Sequence, residues 1–105
     1  MSADRRLGVS VLAGGGTTLV VAAGELDLET APLLADALTD SARTSRRVTL
    51  DLAAITFLDA PAVARVWAAV DTLRGRLAVV PPHRDSAAMR FLQLARLDDR
   101  LPAAT

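Results

Sequence analysis

Residues 48–80 read VTLDLAAITFLDAPAVARVWAAVDTLRGRLAVV, and this stretch decides the fold. It opens on Val48-Thr49-Leu50-Asp51-Leu52, a short β-branched and aliphatic run that predicts a central strand. After Ile55-Thr56-Phe57-Leu58 comes Asp59-Ala60-Pro61. A capping residue with proline just behind it marks a helix start, because the first turn has no use for the missing N–H. Val63, Val66, Trp67 and Val70 then recur at i, i+3, i+4 and i+7, one apolar stripe of a helix, while Arg65, Asp71 and Arg74 fall off it. Gly75 stands where a helix C-terminal glycine belongs. Leu77-Ala78-Val79-Val80 predicts the next strand, closed by Pro81-Pro82. A strand, a helix and a strand in this order imply a parallel pair joined by a right-handed crossover.

Toward the N-terminus, Val9, Val11 and Ala13 alternate with Ser10 and Leu12, and Leu19-Val20-Val21-Ala22-Ala23 forms a second strand-like run. Gly14-Gly15-Gly16 between them reads as a hairpin turn. It is not a phosphate loop, since no Gly-Lys-Ser/Thr follows and no helix begins there. Thr30 followed by Pro32 is a second cap-and-proline start, and Leu33, Leu34, Ala37 and Leu38 predict an amphipathic helix over about 31–43. Toward the C-terminus, Asp85 or Ser86 is expected to cap a third helix over about 87–95, with Ala88, Phe91, Leu92 and Ala95 on one face. Residues 97–101 are a candidate edge strand. The predicted order is β-β-α-β-α-β-α-(β), an α/β fold with a small mixed sheet.

Length and composition agree. A chain of 105 residues suits one domain, spanning 1–105 with a core over about 9–101, and buries roughly 65% of its unfolded surface. Hydrophobic residues at 51% exclude global disorder. Twelve acidic residues balance twelve basic ones, all arginine, which argues against nucleic acid as the partner. The absence of cysteine excludes disulfides, thiolate metal sites and thiol chemistry. The lone histidine, His83, lies in a loop and leaves no imidazole network to activate a nucleophile. No catalytic residue, metal or cofactor is therefore assigned. Neither a signal-peptide core nor a membrane-spanning stretch is visible, so membrane insertion is not expected and a cytoplasmic location is.

The informative feature is positional. Loops at the carboxyl ends of parallel strands gather at one edge of the sheet. Residues 24–29 and 57–62 should lie there side by side, carrying Glu25, Asp27, Glu29 and Asp59.

Taken in order, Gly24-Glu25-Leu26-Asp27, Val48-Thr49-Leu50-Asp51-Leu52, Phe57-Leu58-Asp59, Leu77-Ala78-Val79-Val80 and Met89-Arg90-Phe91-Leu92-Gln93-Leu94-Ala95-Arg96-Leu97-Asp98 resemble a STAS domain. This is the fold of the bacterial anti-sigma factor antagonists. The resemblance covers roughly residues 9–101 and rests on the order and spacing of these segments together. It implies helices packed mainly on one face of the sheet and a regulatory, protein-binding role. It further implies partner switching, in which the antagonist binds an anti-sigma factor that is a GHKL-type serine kinase and is released by phosphorylation just after the aspartate of the second helix. The family's run there is typically Asp-Ser-Ser-Gly, whereas this chain has Asp59-Ala60-Pro61-Ala62. Ala60 occupies the acceptor position and has no hydroxyl. Thr56 and Ser86 are nearby in sequence but match no family site. The expected partner surface is Glu25, Asp27, Asp59, Ala60, Pro61 and Ala62, on a monomer or homodimer. Two other roles fit the same resemblance: a STAS subunit of another assembly such as a lipid-transport ATPase, or a sensor of a nucleotide or other small ligand.

Overall fold

The computed structural model describes residues 6–73 and 75–95. Gly15 and Gly16 both take positive φ, 62° and 81°, and so close a two-residue hairpin between β1 (Leu7–Gly14) and β2 (Thr17–Leu26). The chain continues through α1 (Ala31–Thr44), β3 (Arg47–Leu58), α2 (Ala60–Thr72), β4 (Leu77–Val80) and α3 (Ala87–Leu94). The sheet order is β1-β2-β3-β4, with β1 antiparallel to β2 and the other neighbours parallel. The α/β, mixed-sheet expectation is thus met, and the candidate strand at 97–101 lies outside the described residues.

Register explains the layering. Val20 pairs with Leu50, which pairs with Val79, and Thr18 pairs with Val48, which pairs with Leu77. All six are buried, so one face of the sheet is the core face. The alternate rungs, such as Leu19, Thr49 and Ala78, are only partly covered. Residues of α1, α2 and α3 join the single core cluster, so the helices share that one face. The stripe Val63, Val66, Trp67 and Val70 is buried as its periodicity predicts. The Trp67 indole N–H is buried without a hydrogen-bond partner among the described residues, a cost of roughly 1–3 kcal/mol that the ring's packing must offset. At the other margin β1 is an edge strand. Leu7 is its buried residue, just before the expected core boundary, while Val11 and Leu12 face solvent.

Three expectations need correction. The central strand does not end at Leu52 but runs on to Leu58. Two register irregularities against β2 allow this, between Asp51 and Ala54 and between Ile55 and Phe57. Each inserts one extra β3 residue, and the Asp51 carboxylate accepts from the Ala53 amide at 2.9 Å in the first. Burial on β3 therefore falls at Leu52, Ile55 and Leu58, a spacing of three that hides a strand. On α3, Ser86 is the cap, its hydroxyl accepting from the Met89 amide at 3.0 Å, but Ala95 lies beyond the helix and is exposed. Finally, Thr30 does not cap α1 through its side chain.

Candidate functional site

Leu26 and Leu58 pair at the ends of β2 and β3, and both are buried. The next residue on each strand is an aspartate. The two loops expected to meet at the carboxyl edge therefore do so, each opening with a carboxylate that starts a helical turn. Asp59 is the N-cap of α2, accepting from the Ala62 amide at 2.9 Å, while its carbonyl accepts from Val63 at 3.1 Å. No other bond to the Asp59 carboxylate is made among the described residues. Ala60 and Pro61 form the first turn of α2 and are exposed.

Asp27 performs the role expected of Thr30. Its Oδ1 accepts from the amides of Glu29 at 2.9 Å and Thr30 at 3.0 Å, and its carbonyl accepts from Ala31 at 2.8 Å. In return the Thr30 hydroxyl oxygen accepts from the Asp27 amide at 2.9 Å. This is a reciprocal capping box in which threonine takes the place usually held by Glu or Gln. The Thr30 hydroxyl proton is left for the Glu25 carbonyl at 3.0 Å or Asp27 Oδ1 at 3.2 Å.

Arg6 crosses from the start of β1 and pairs with Asp27 Oδ2 and, at 2.7 Å, with Glu29. Two of the four edge carboxylates are thus already compensated. Burial pushes the Asp27 carboxyl up, but the Thr30 amide, Arg6, the Glu29 amide and the Thr30 hydroxyl more than offset this and hold it below the ordinary carboxylate range. A depressed folded-state pKa contributes stability above the unfolded value of about 3.9 and loses it as pH falls through the folded pKa. Asparagine caps nearly as well as aspartate but carries no charge. Asp27→Asn should therefore lower the melting temperature at neutral pH, and the gap to the parent should shrink below about pH 3.9. Melting curves across that range measure it, and a gap independent of pH would show that the charge contributes nothing.

The expected surface residues thus separate by environment. Glu25 is exposed and its side chain makes no hydrogen bond among the described residues, whereas its amide donates to the Arg6 carbonyl at 2.7 Å. Ala62 is fully buried, so its methyl supports the loop from beneath and no partner can touch it; it leaves the surface set. Asp27 is half-buried and structural. Two residues not expected in the set, Leu28 in the loop after β2 and Phe57 near the end of β3, are 64% and 43% exposed at this edge. Leu28 is an isolated apolar residue among polar ones, and Phe57 follows the register irregularities that end the alternation, so neither gives a periodic signal. The hydroxyls of Thr56 and Ser86 are both engaged, Thr56 with the Gly24 carbonyl at 3.2 Å and Ser86 with the His83 carbonyl at 2.7 Å. Among the described residues no group of three His, Asp or Glu side chains could hold a metal ion, and no helix is long and apolar enough to cross a membrane.

A family profile described as "Mlab, STAS domain" matches residues 9–103. The chain belongs to the STAS domain family. Among solved structures it is similar to an anti-sigma factor antagonist from Mycobacterium paratuberculosis, at 25% identity and a TM-score of 0.76, covering 98% of this chain and 89% of that one. It also shares its fold with the STAS domain of an antisigma-factor antagonist from Rhodobacter sphaeroides, at 17% identity and a TM-score of 0.59, covering 72% and 87% of the two chains. A third similar fold is the Bacillus cell fate determinant SpoIIAA in its phosphorylated form, at 18% identity and a TM-score of 0.61, covering 93% and 92%. No curated protein matches in sequence. This STAS domain therefore has the mixed sheet with helices on one face that its motifs imply.

Proposed function

We propose that this STAS domain is an anti-sigma factor antagonist-like binding protein that works without a phosphate switch. The observation that carries this reading is the Leu26–Leu58 register, which sets the Asp27 and Asp59 turns side by side at the edge where helix α2 begins. The similarity to the mycobacterial antagonist over nearly the whole chain supports it. The partner is an anti-sigma factor, in this family a GHKL-type serine kinase. Its contact surface centres on Glu25, Asp59, Ala60 and Pro61, with the exposed Leu28 and Phe57 adding apolar area that a partner can bury. Capping holds Asp59 in one orientation and Pro61 fixes the first turn, so little entropy is lost when a partner docks.

Ala60 removes the off-switch. A phosphoryl group would add a charge of about −2 beside Asp59, but a methyl group cannot accept it. The protein is then constitutive or set by abundance. Incubation with the partner kinase and ATP should leave its intact mass unchanged.

Asp27→Arg does not test this surface cleanly, because it removes a cap and an ion pair. Glu25→Arg and Ala60→Arg do. Each should weaken binding to the anti-sigma factor by more than tenfold, about 1.4 kcal/mol, with little change in melting temperature. Partner capture from the native cell supplies the ligand for titration calorimetry, and parent-like affinity in both variants would place the surface elsewhere. One observation favours a second reading, a subunit of another assembly such as a lipid-transport ATPase: a permanent subunit has no need of the hydroxyl that Ala60 lacks. Capture of transporter subunits instead of an anti-sigma factor would decide for it.

A further inference from the structure

The net charge of the chain is zero, but an acidic and a basic cluster stand at opposite ends of the sheet. The carboxylates Glu25, Asp27, Glu29 and Asp59 lie at the carboxyl ends of β2 and β3. Arg46, Arg47 and Arg76 gather where those strands begin, at Thr17, Arg47 and Leu77. Arg76 is committed to the fold. Its guanidinium donates to the carbonyls of Ala42 at 2.7 Å and Ser45 at 2.6 Å, closing the carboxyl end of α1. Arg46 and Arg47 are different. Their backbone amides donate to the Gly16 carbonyl at 2.8 and 3.3 Å, which fixes both residues against the hairpin turn. Their side chains are exposed, and neither pairs with a carboxylate among the described residues.

Both line one open cleft of about 400 Å³ with Gly15, Gly16, Thr17 and Gly75. None of these lining residues is acidic. Gly15, Gly16 and Gly75 all take positive φ, which side-chain-bearing residues rarely adopt, and these three glycines leave backbone uncovered on its walls. Two uncompensated guanidinium groups beside bare glycine backbone suit a tetrahedral oxyanion. Guanidinium forks bind phosphate oxygens bidentately, and glycine permits close approach. This differs from a nucleotide phosphate loop, which needs a lysine and a following helix.

We propose that the cleft between the Gly15–Gly16 turn, Arg46, Arg47 and Gly75 binds a phosphate-class dianion, as free phosphate or as a phosphomonoester headgroup. The site lies at the opposite end of the sheet from the docking edge and stands independently of that reading. Titration of the full chain with inorganic phosphate, followed by amide NMR, should move the Gly15, Gly16 and Gly75 resonances saturably. Sodium chloride at matched ionic strength should not. Arg47→Gln and Arg46→Gln replace side chains that make no hydrogen bond or ion pair among the described residues, and each should weaken phosphate binding about tenfold while leaving the remaining spectrum unchanged. Co-sedimentation with phosphatidylcholine vesicles only when they contain phosphatidic acid, and its loss in Arg47→Gln, would make the dianion a lipid headgroup. Phosphate binding without co-sedimentation would make it a soluble ester. Unsaturable shifts, equal shifts with chloride, or full affinity in both variants would overturn the proposal.

Discussion

Gly24→Ala is expected to destabilise the fold by about 2–4 kcal/mol, the sum of backbone strain and a lost hydrogen bond. Gly24 has φ +112°, a region that side-chain-bearing residues rarely adopt, which alone costs roughly 1–3 kcal/mol. A Cβ at this position would overlap the Arg6 carbonyl oxygen and lie 3.1 Å from the Arg6 carbonyl carbon and 3.4 Å from Leu7 Cα. These are backbone atoms and cannot rotate aside. The start of β1 must move instead, and the 2.7 Å bond from the Glu25 amide to the Arg6 carbonyl is lost, worth about 1 kcal/mol. The Arg6 side chain moves with its backbone, so its hold on Asp27 and Glu29 goes too. For a domain of this size the melting temperature should fall by more than about 10 °C. Gly14→Ala is the control: its Cβ would meet nothing within 4 Å, and its effect should stay within about 0.5 kcal/mol. Urea denaturation of both variants reads the difference, and equal midpoints would show that the close approach at Gly24 is not required.

The same corner shows what can be read from the chain and what cannot. The α2 stripe was legible because valine and tryptophan at helical spacing declare their face. Ala62 was not, because alanine is as common outside as inside; only its position one turn before Val66 hints that it is buried. Asp59 was legible as a cap because Pro61 follows two residues later. Asp27, three residues before Thr30, was not legible as a cap. The proline pointed to Thr30, whereas the bonds run between both, with Asp27 as the acceptor for the amides. Its pairing with Arg6 spans 21 positions and leaves no local pattern at all. Strand β3 was half legible. Alternation marks Val48, Leu50 and Leu52, and two register irregularities then convert the period to three. That conversion has a consequence for the site. Without two extra residues, β3 would bring different side chains opposite Glu25 and Leu26, and Asp59 would not begin its turn beside Asp27.

Leu26→Ala should cost about 2–5 kcal/mol, the range for a fully buried leucine truncated in a core that cannot fully collapse. Leu26 is 0% exposed, lies at the end of β2 opposite Leu58, and is followed at once by the Asp27 capping box. A cavity there lies directly beneath the docking edge. Relaxation into it draws in the ends of both strands, because Leu58 is the neighbouring wall and Asp59 is covalently next. The variant should therefore lose both stability and affinity for the proposed partner, while Glu25→Arg loses affinity alone. Total stabilities of about 5–15 kcal/mol leave Leu26→Ala folded at low temperature, so affinity remains measurable there by calorimetry. Leu94→Ala, at a leucine 80% exposed on α3, should change stability by no more than about 0.5 kcal/mol. If Leu26→Ala melts early yet binds its partner as the parent does, the edge is held by the Asp27 and Asp59 caps and not by the packing beneath them. If both properties fall together, the core that folds the sheet also fixes the position of the proposed docking edge around Asp59.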